Sequence, residues 1–564
     1  MFKPLYLAAA LAWAAGPAVA QAPTPPQAGK IKTKTKAGRR AAEAQLAPPT
    51  APAGPDWSVP YATSITPDGL KADLSVLASD AYEGRATGQK GQQMAADYLT
   101  KAFAATGLAG PVLGSDNPYL QHFTLNRVNP AASIKIGSRT FVVNQDYYLL
   151  LRDAAALAAV VQPTFVGYGI STAGYSDFAA ATTDLKGQSL VMLLGEPLNK
   201  TGQPLLGKNG QPSPYGGPGF TEMVARSPAI FAVKARATFR IAPSAAAFAR
   251  VPQEYEHLFD HHERIGFVDE PEPASTGPNV FIVSPEMGAA MLGTTPAGLA
   301  TYQQAVAKAG RPLASPFKPV ALQAVAEKQA FTTENVLGYL EGTDKKDEVV
   351  VVSAHYDHVG VQNGVVYNGA DDDGSGTVSV LAMARAFAQA KKDGHGPRRS
   401  ILFLANVGEE IGLLGSQYYT DHPVFPLAST VTDLNIDMVG RVDSVHQGRG
   451  DYLYLVGDDR LSTELHTLSE ATNQQYNPVA LDYKYNALTD PQHLYVRSDH
   501  YNFAKHHVPV IFYTSGLHAD YHQPTDDVDK IDFPAMARRD QLIFHTAWAL
   551  ANRDQRVAVD AGKL

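Results

Sequence analysis

Several short apolar runs in this chain end abruptly on histidine or acidic residues. Val349-Val350-Val351-Val352-Ser353-Ala354 runs into His355-Tyr356-Asp357, and Ile401 to Val407 leads to Glu409-Glu410. Val431 to Ile436 reaches Asp437, while Val508 to Tyr513 precedes a loop that carries His518 and His522. Apolar runs of this length read as buried strands. Ligands of an open α/β sheet bind outside the carboxyl ends of its strands, so the pattern predicts one metal site on one sheet edge. Met94, Ala95, Tyr98, Ala102 and Phe103 fall at helical spacings within 91–107, and a second helix is expected from about Thr377 to Ala390. Between about Asp146 and Lys328 the texture changes to brief apolar runs separated by Gly and Pro clusters. A β-rich insert over 146–328 is therefore expected, leaving and re-entering a single α/β domain built from 57–145 and 329–556.

The length of 564 residues exceeds what one hydrophobic core usually supports, which agrees with more than one domain. Net charge is −8, which provides no basic surface for nucleic acid. The chain has no cysteine, so disulfides, thiolate ligands and a cysteine nucleophile are excluded together. Any metal must rest on His, Asp and Glu, a donor set that suits zinc. At the start, Lys3, the apolar Leu5 to Ala15 and the small residues of Ala18-Val19-Ala20 form a secretory-signal pattern over 1–20. The apolar stretch is too short to span a bilayer, so the expected product is secreted or periplasmic after cleavage near Ala20, without a stable membrane anchor. Residues 21–56 are rich in Pro, Ala and Lys and read as a flexible linker.

The chemistry concentrates in the second α/β segment. His355 is followed at the next-but-one position by Asp357, and a carboxylate that accepts the other ring N–H fixes the tautomer of a metal-bound histidine. Asn368-Gly369-Ala370-Asp371-Asp372-Asp373-Gly374-Ser375-Gly376 sets three adjacent aspartates between glycines. Such a cluster is repulsive unless a cation compensates it or a helix dipole accepts it as a cap. Two zinc ions that share one carboxylate need a bridging Asp and about two terminal ligands each. His355, Asp372, Glu410, Asp437 and His522 supply that number and leave Glu409 free to move protons.

The ordered set His355-x-Asp357, Gly369 to Gly376, Glu409-Glu410-x-Gly412-Leu413-x-Gly415-Ser416, Asp437-Met438, and His522 before Thr525-Asp526-Asp527 resembles the co-catalytic di-zinc aminopeptidase family. That family includes aminopeptidase Y, secreted bacterial leucyl aminopeptidases and, more distantly, glutamate carboxypeptidase. The resemblance implies an α/β fold with a mixed central sheet flanked by helices and two zinc ions per chain. It also implies that His355 and Asp437 complete one zinc site, Glu410 and His522 the other, with Asp372 bridging. Glu409 would be the general acid/base and Asp357 the support behind His355. Ser498-Asp499-His500 and Tyr513 also resemble family positions near the site. Within the insert, Phe165-Val166-Gly167-Tyr168-Gly169, Asp184-Leu185-Lys186-Gly187 and the stretch from Val280 to Leu292 resemble a protease-associated domain.

The function expected is removal of the N-terminal residue from peptide or protein substrates. A carboxypeptidase or another amidohydrolase is the enzymatic alternative; Arg441 and Arg497 are the candidates for clamping a substrate carboxylate. A receptor-like binding protein that had lost its metals would lack a ligand or Glu409, and none is missing.

Overall fold

A computed structural model describes residues 55–151, 160–181, 184–217, 219–255, 264–268, 278–476 and 478–562. The expected signal sequence and nearly all of the expected linker lie outside them. Among the described residues, no helix is long and apolar enough to cross a membrane.

The apolar runs become the centre of a large mixed sheet. Lys345–His355 is flanked by Arg399–Asn406 and Thr430–Ile436, with Val510–Thr514 beyond the latter, and all four run parallel. Their side chains alternate between two cores, as a period of two demands. Val350, Val352, Ile401 and Phe403 enter one core; Val349, Val351, Leu402 and Leu404 enter the other. Because both faces are covered, Val349 to Val352 and Ile401 to Ala405 are continuously apolar rather than alternating in polarity. Leu322–Leu340 and Tyr452–Val456 close the parallel centre on either side as antiparallel neighbours.

Register aligns the chemically active ends. Ala354 pairs with Ala405 and His355 with Asn406, while Ile436 pairs with Tyr513. The carboxyl ends therefore present His355, the Glu409 loop, Asp437 and the 515–526 loop at one edge. The helix Gly376–Lys392 follows the aspartate cluster; the Thr377 hydroxyl donates to the His355 carbonyl at 2.6 Å and ties helix to strand.

The expected insert contains its own five-stranded sheet. Its order is Tyr147–Leu151, Asn279–Val283, Ala237–Ile241, Ser189–Leu193, Thr164–Phe165, antiparallel only at the first pair. The module is less β-rich than its sequence texture implies, because Phe220–Ala232, Pro285–Met291 and Pro296–Ala309 are helices. Two of them begin with proline at the first helical position, behind Ser284 and Thr295 as N-caps. Proline there sacrifices no helical hydrogen bond, so residues that read as loop punctuation are helix starts.

The insert is also stitched to the larger sheet. Leu120–Ile136 pairs with Leu322–Leu340 along a ladder that begins at Leu120–Val336 and ends at Ile136–Leu322, so the expected boundary at 328 falls inside a strand. Arg264–Phe267, from within the insert, pairs with Leu125 to Val128 and extends the sheet edge. Residues 57–564 form one compact unit.

Candidate metal centre

The three aspartates divide their work according to what each carboxylate already accepts. Asp373 Oδ1 takes the N–H of Gly376 at 2.8 Å and of Met438 at 3.1 Å, and its Oδ2 takes that of His355 at 3.2 Å. It thus receives the N–H of the first residue of the following helix and staples strand ends together. Asp371 Oδ1 takes the Gly440 N–H at 2.6 Å, and its Oδ2 lies 3.1 Å from His518 Nε2. Asp372 alone is turned to the edge of the sheet. Its Oδ1 is 3.4 Å from His355 Nε2, and its Oδ2 is 3.0 Å from His522 Nε2.

Around Asp372 the other donors form two groups. His355 Nε2 lies 3.7 Å from Asp437 Oδ1 and 3.9 Å from Glu409 Oε2. His522 Nε2 lies 2.9 Å from Glu410 Oε2. Ligating atoms of His355, Glu409 and Asp437 lie within 4.8 Å of one another, and so do those of His358, Asp372 and Glu410. Thus His355, Asp372, Glu409, Glu410, Asp437 and His522 are brought together, with His358 added to them.

The residues fit cations by their unmet needs. His355 Nε2, both ring nitrogens of His358, His522 Nε2, Asp372 Oδ2 and Glu410 Oε1 are buried without a hydrogen-bond partner. Buried polar atoms are ordinarily satisfied, so orphans within two groups of close-set ligating atoms fit metal positions. Electrostatics agrees. Burial lowers the His522 imidazole, yet Asp372 and Glu410 overcome it and raise its pKa to about 10. Burial pushes the Glu409 carboxyl well above the usual range; His355 opposes this, while Asp437, Glu410 and Asp499 add to it. The cluster attracts positive charge, as protons on histidine or as metal in their place.

Supporting contacts come from several elements. Asp357 is expected to receive the second ring N–H of His355; the nearer acceptor is its backbone carbonyl, 3.1 Å from Nδ1, with carboxylate Oδ1 at 3.7 Å. That carboxylate instead accepts the Thr87 hydroxyl at 2.7 Å and the Glu409 N–H at 3.3 Å. Asp357 therefore couples the position of His355 to that of Glu409. Ser498 donates to Asp437 Oδ2 at 2.6 Å, and Asp526 Oδ2 receives the N–H groups of both Asp371 and Asp372. Arg85, fully buried, donates to the carbonyls of Tyr356, Leu77, Asn368 and Gly369 and clamps the loops bearing His355 and Asp372.

The sequence alone gives Arg85, Thr87 and His358 no role. The first two lie in Tyr82-Glu83-Gly84-Arg85-Ala86-Thr87-Gly88, which reads only as a polar, turn-rich segment because its long-range partners have no local signature; His358 directly follows His355-x-Asp357. Other noted residues stand aside from the two groups. Tyr513 is buried in the main core, and His518 pairs with Asp371. Asp499 lies fully buried, its carboxyl pushed up to about 7 by burial against the pull of His355. Arg441 donates to Asp520 at 2.7 Å, and exposed Arg497 donates to the Tyr521 hydroxyl at 3.1 Å.

An α/β sheet with paired metal-ligating triads at its carboxyl edge is the class these observations define. Residues 335–547, which carry both triads, match the sequence model of Peptidase family M28. Aminopeptidase YwaD of Bacillus subtilis (strain 168) is 37% identical over 123 residues, 21% of this chain and 25% of that protein. A probable leucine aminopeptidase of Arthroderma otae is 30% identical over 214 residues, 37% of this chain and 55% of that protein. The chain thus spans a quarter and about half of the length of these relatives. The solved aminopeptidase from Aneurinibacillus sp. strain AM-1 superposes with a TM-score of 0.47 at 16% identity, covering 89% of this chain and 98% of that one.

Proposed function

We propose that this protein is an exported di-zinc aminopeptidase that hydrolyses the N-terminal peptide bond of its substrates. The observation that carries the reading is Asp372, whose two oxygens face His355 at 3.4 Å and His522 at 3.0 Å with Glu409 and Glu410 alongside. A carboxylate so placed suits the bridge between two ions, with His355 and Asp437 on one side and Glu410 and His522 on the other. When bound, the ions would polarise the scissile carbonyl and make water nucleophilic near neutral pH. The match of 335–547 to a peptidase family, and the aminopeptidase names of both sequence relatives, support hydrolysis at an N-terminus.

In this reading Glu409 is the proton carrier. Its carboxylate takes a proton from the attacking water and returns it to the departing amine. Asp357 holds the Glu409 backbone and the His355 ring in register for that transfer. The arginines weigh against a carboxypeptidase: Arg441 is engaged by Asp520 and Arg497 by Tyr521. Export rests on the basic start, apolar run and small residues of 1–20. The insert is read as a protease-associated module from its Gly-Tyr-Gly and Asp-Leu-Lys-Gly motifs.

Assays on amino-acyl chromogenic amides, with N-acetylated and C-terminally amidated peptides in parallel, test the activity. Cleavage that requires a free amine and tolerates a blocked carboxyl end is expected. Cleavage that requires a free carboxyl end overturns the aminopeptidase reading.

A further inference from the structure

His358 belongs to the second group of ligating atoms but not to the five-residue ligand set. Its ring is buried, and its backbone N–H donates to the Arg85 carbonyl at 3.3 Å. It packs so closely on Gly369 that a Cβ there would stand 2.4 Å from the ring, in a backbone with φ of +54° that itself favours glycine. Nδ1 lies 2.7 Å from Glu410 Oε1 and 3.8 Å from Asp372 Oδ2. Nδ1 and Glu410 Oε1 are within hydrogen-bond distance but poorly aligned for one, and Nε2 has no partner.

A contact of 2.7 Å without hydrogen-bond alignment joins two atoms that are close but do not point at each other. With Asp372 and Glu410, His358 offers ligating atoms that all lie within 4.8 Å of one another, the spacing that ligands of one cation need. A buried imidazole with both nitrogens unmet also needs a partner that the protein does not supply. His522 Nε2 meets the same two carboxylates from the other side, at 3.0 and 2.9 Å.

We propose that His358 Nδ1 is a further protein ligand of the second metal centre, which then carries His358, Asp372, Glu410 and His522. The inference rests on the two-metal reading above. It makes the two centres unequal. Zinc is usually four-coordinate, and catalytic zinc keeps one position free of protein. The second centre is closed by its own side chains, and the open position falls to the His355–Asp437 centre, beside Glu409.

The full-length protein, stripped of metal, is titrated with Co²⁺ and followed by visible absorption and by bound-ion analysis. Wild type should take up two ions. H358A and H358Q should lose affinity for one of them by more than the roughly 10–100-fold that removing a supporting contact produces, with altered absorption bands for that ion. Glutamine can hydrogen-bond Glu410 but is a weak ligand, so wild-type affinity and bands in H358Q would reveal a merely supporting histidine and overturn the proposal. H358C gives the decisive spectrum. The chain has no other cysteine, so a thiolate-to-cobalt charge-transfer band can arise only if position 358 enters the coordination sphere. A variant that binds two cobalt ions without that band overturns the proposal. Wild type that never binds two ions refutes the two-metal reading itself.

Discussion

At the scale of the residue, adjacent side chains of one type take different tasks because their surroundings differ. Asp371 and Asp373 are consumed by backbone N–H groups, whereas both Asp372 oxygens face histidines. Asp372→Ala should therefore weaken both metal sites while the metal-free protein stays folded. Asp373→Asn should instead lower the unfolding midpoint of the metal-free form, since an amide nitrogen replaces an acceptor facing N–H donors. The neighbouring glutamates part in the same way. Glu409→Gln should retain two metals while turnover falls by about 10²–10⁴-fold, the usual contribution of a general acid–base group. Glu410→Ala should lose metal together with activity. Metal content and steady-state kinetics on the same preparations decide both cases: zinc loss in Glu409→Gln would make Glu409 a ligand, and near-normal turnover would remove it from the mechanism.

At the scale of the element, the sequence is most legible where local pattern and chemistry coincide. The valine run ending at His355 and the apolar run before Glu409 announce strand, burial and site at once, because central strands buried on both faces are built mainly from apolar residues. The insert carries weaker local signals. Ser284-Pro285 and Thr295-Pro296 look like turns but cap helices, and the strand Leu322–Leu340 runs past the point where composition changes. Long-range supports leave no local trace. Arg85 lies in a polar turn, yet its guanidinium gathers carbonyls from residues near 77, 356 and 368. Arg85→Met should leave those carbonyls unsatisfied and destabilise the protein by about 3 kcal/mol or more, given roughly 1.5–3 kcal/mol for a hydrogen bond to a charged group. Urea unfolding measures the loss. A change below about 0.5 kcal/mol, the level expected of a surface substitution, would show that the clamp is dispensable.

At the scale of the whole molecule, two buried ionisable groups away from the metal ligands should shape the pH range over which the fold survives. Asp540, on the helix Phe533–Asn552, is buried beside Ser379, and burial pushes its carboxyl up to about 8 against the milder pull of Ser379 and Arg539. Its unfolded counterpart ionises near 3.9. Between those values the folded state holds the additional proton, so this group makes stability fall as pH rises from about 4 towards about 8. His500 acts on the opposite side. Burial lowers its imidazole to about 3, against about 6.5 when unfolded. There the unfolded chain binds the additional proton, and stability falls as pH drops from about 6.5 towards 3. Asp540→Asn should abolish the first contribution alone, because an amide cannot ionise yet can still hydrogen-bond Ser379. Chemical denaturation of the metal-free full-length protein across this range should show the variant gaining on wild type steadily from about pH 5 to pH 8, with the acid limb unchanged. Comparing the two proteins cancels the titration of the histidines and carboxylates at the metal centre, which both share. Parallel stability curves at every pH would mean that Asp540 is ionised inside the fold, and that Arg539 rather than a retained proton compensates it.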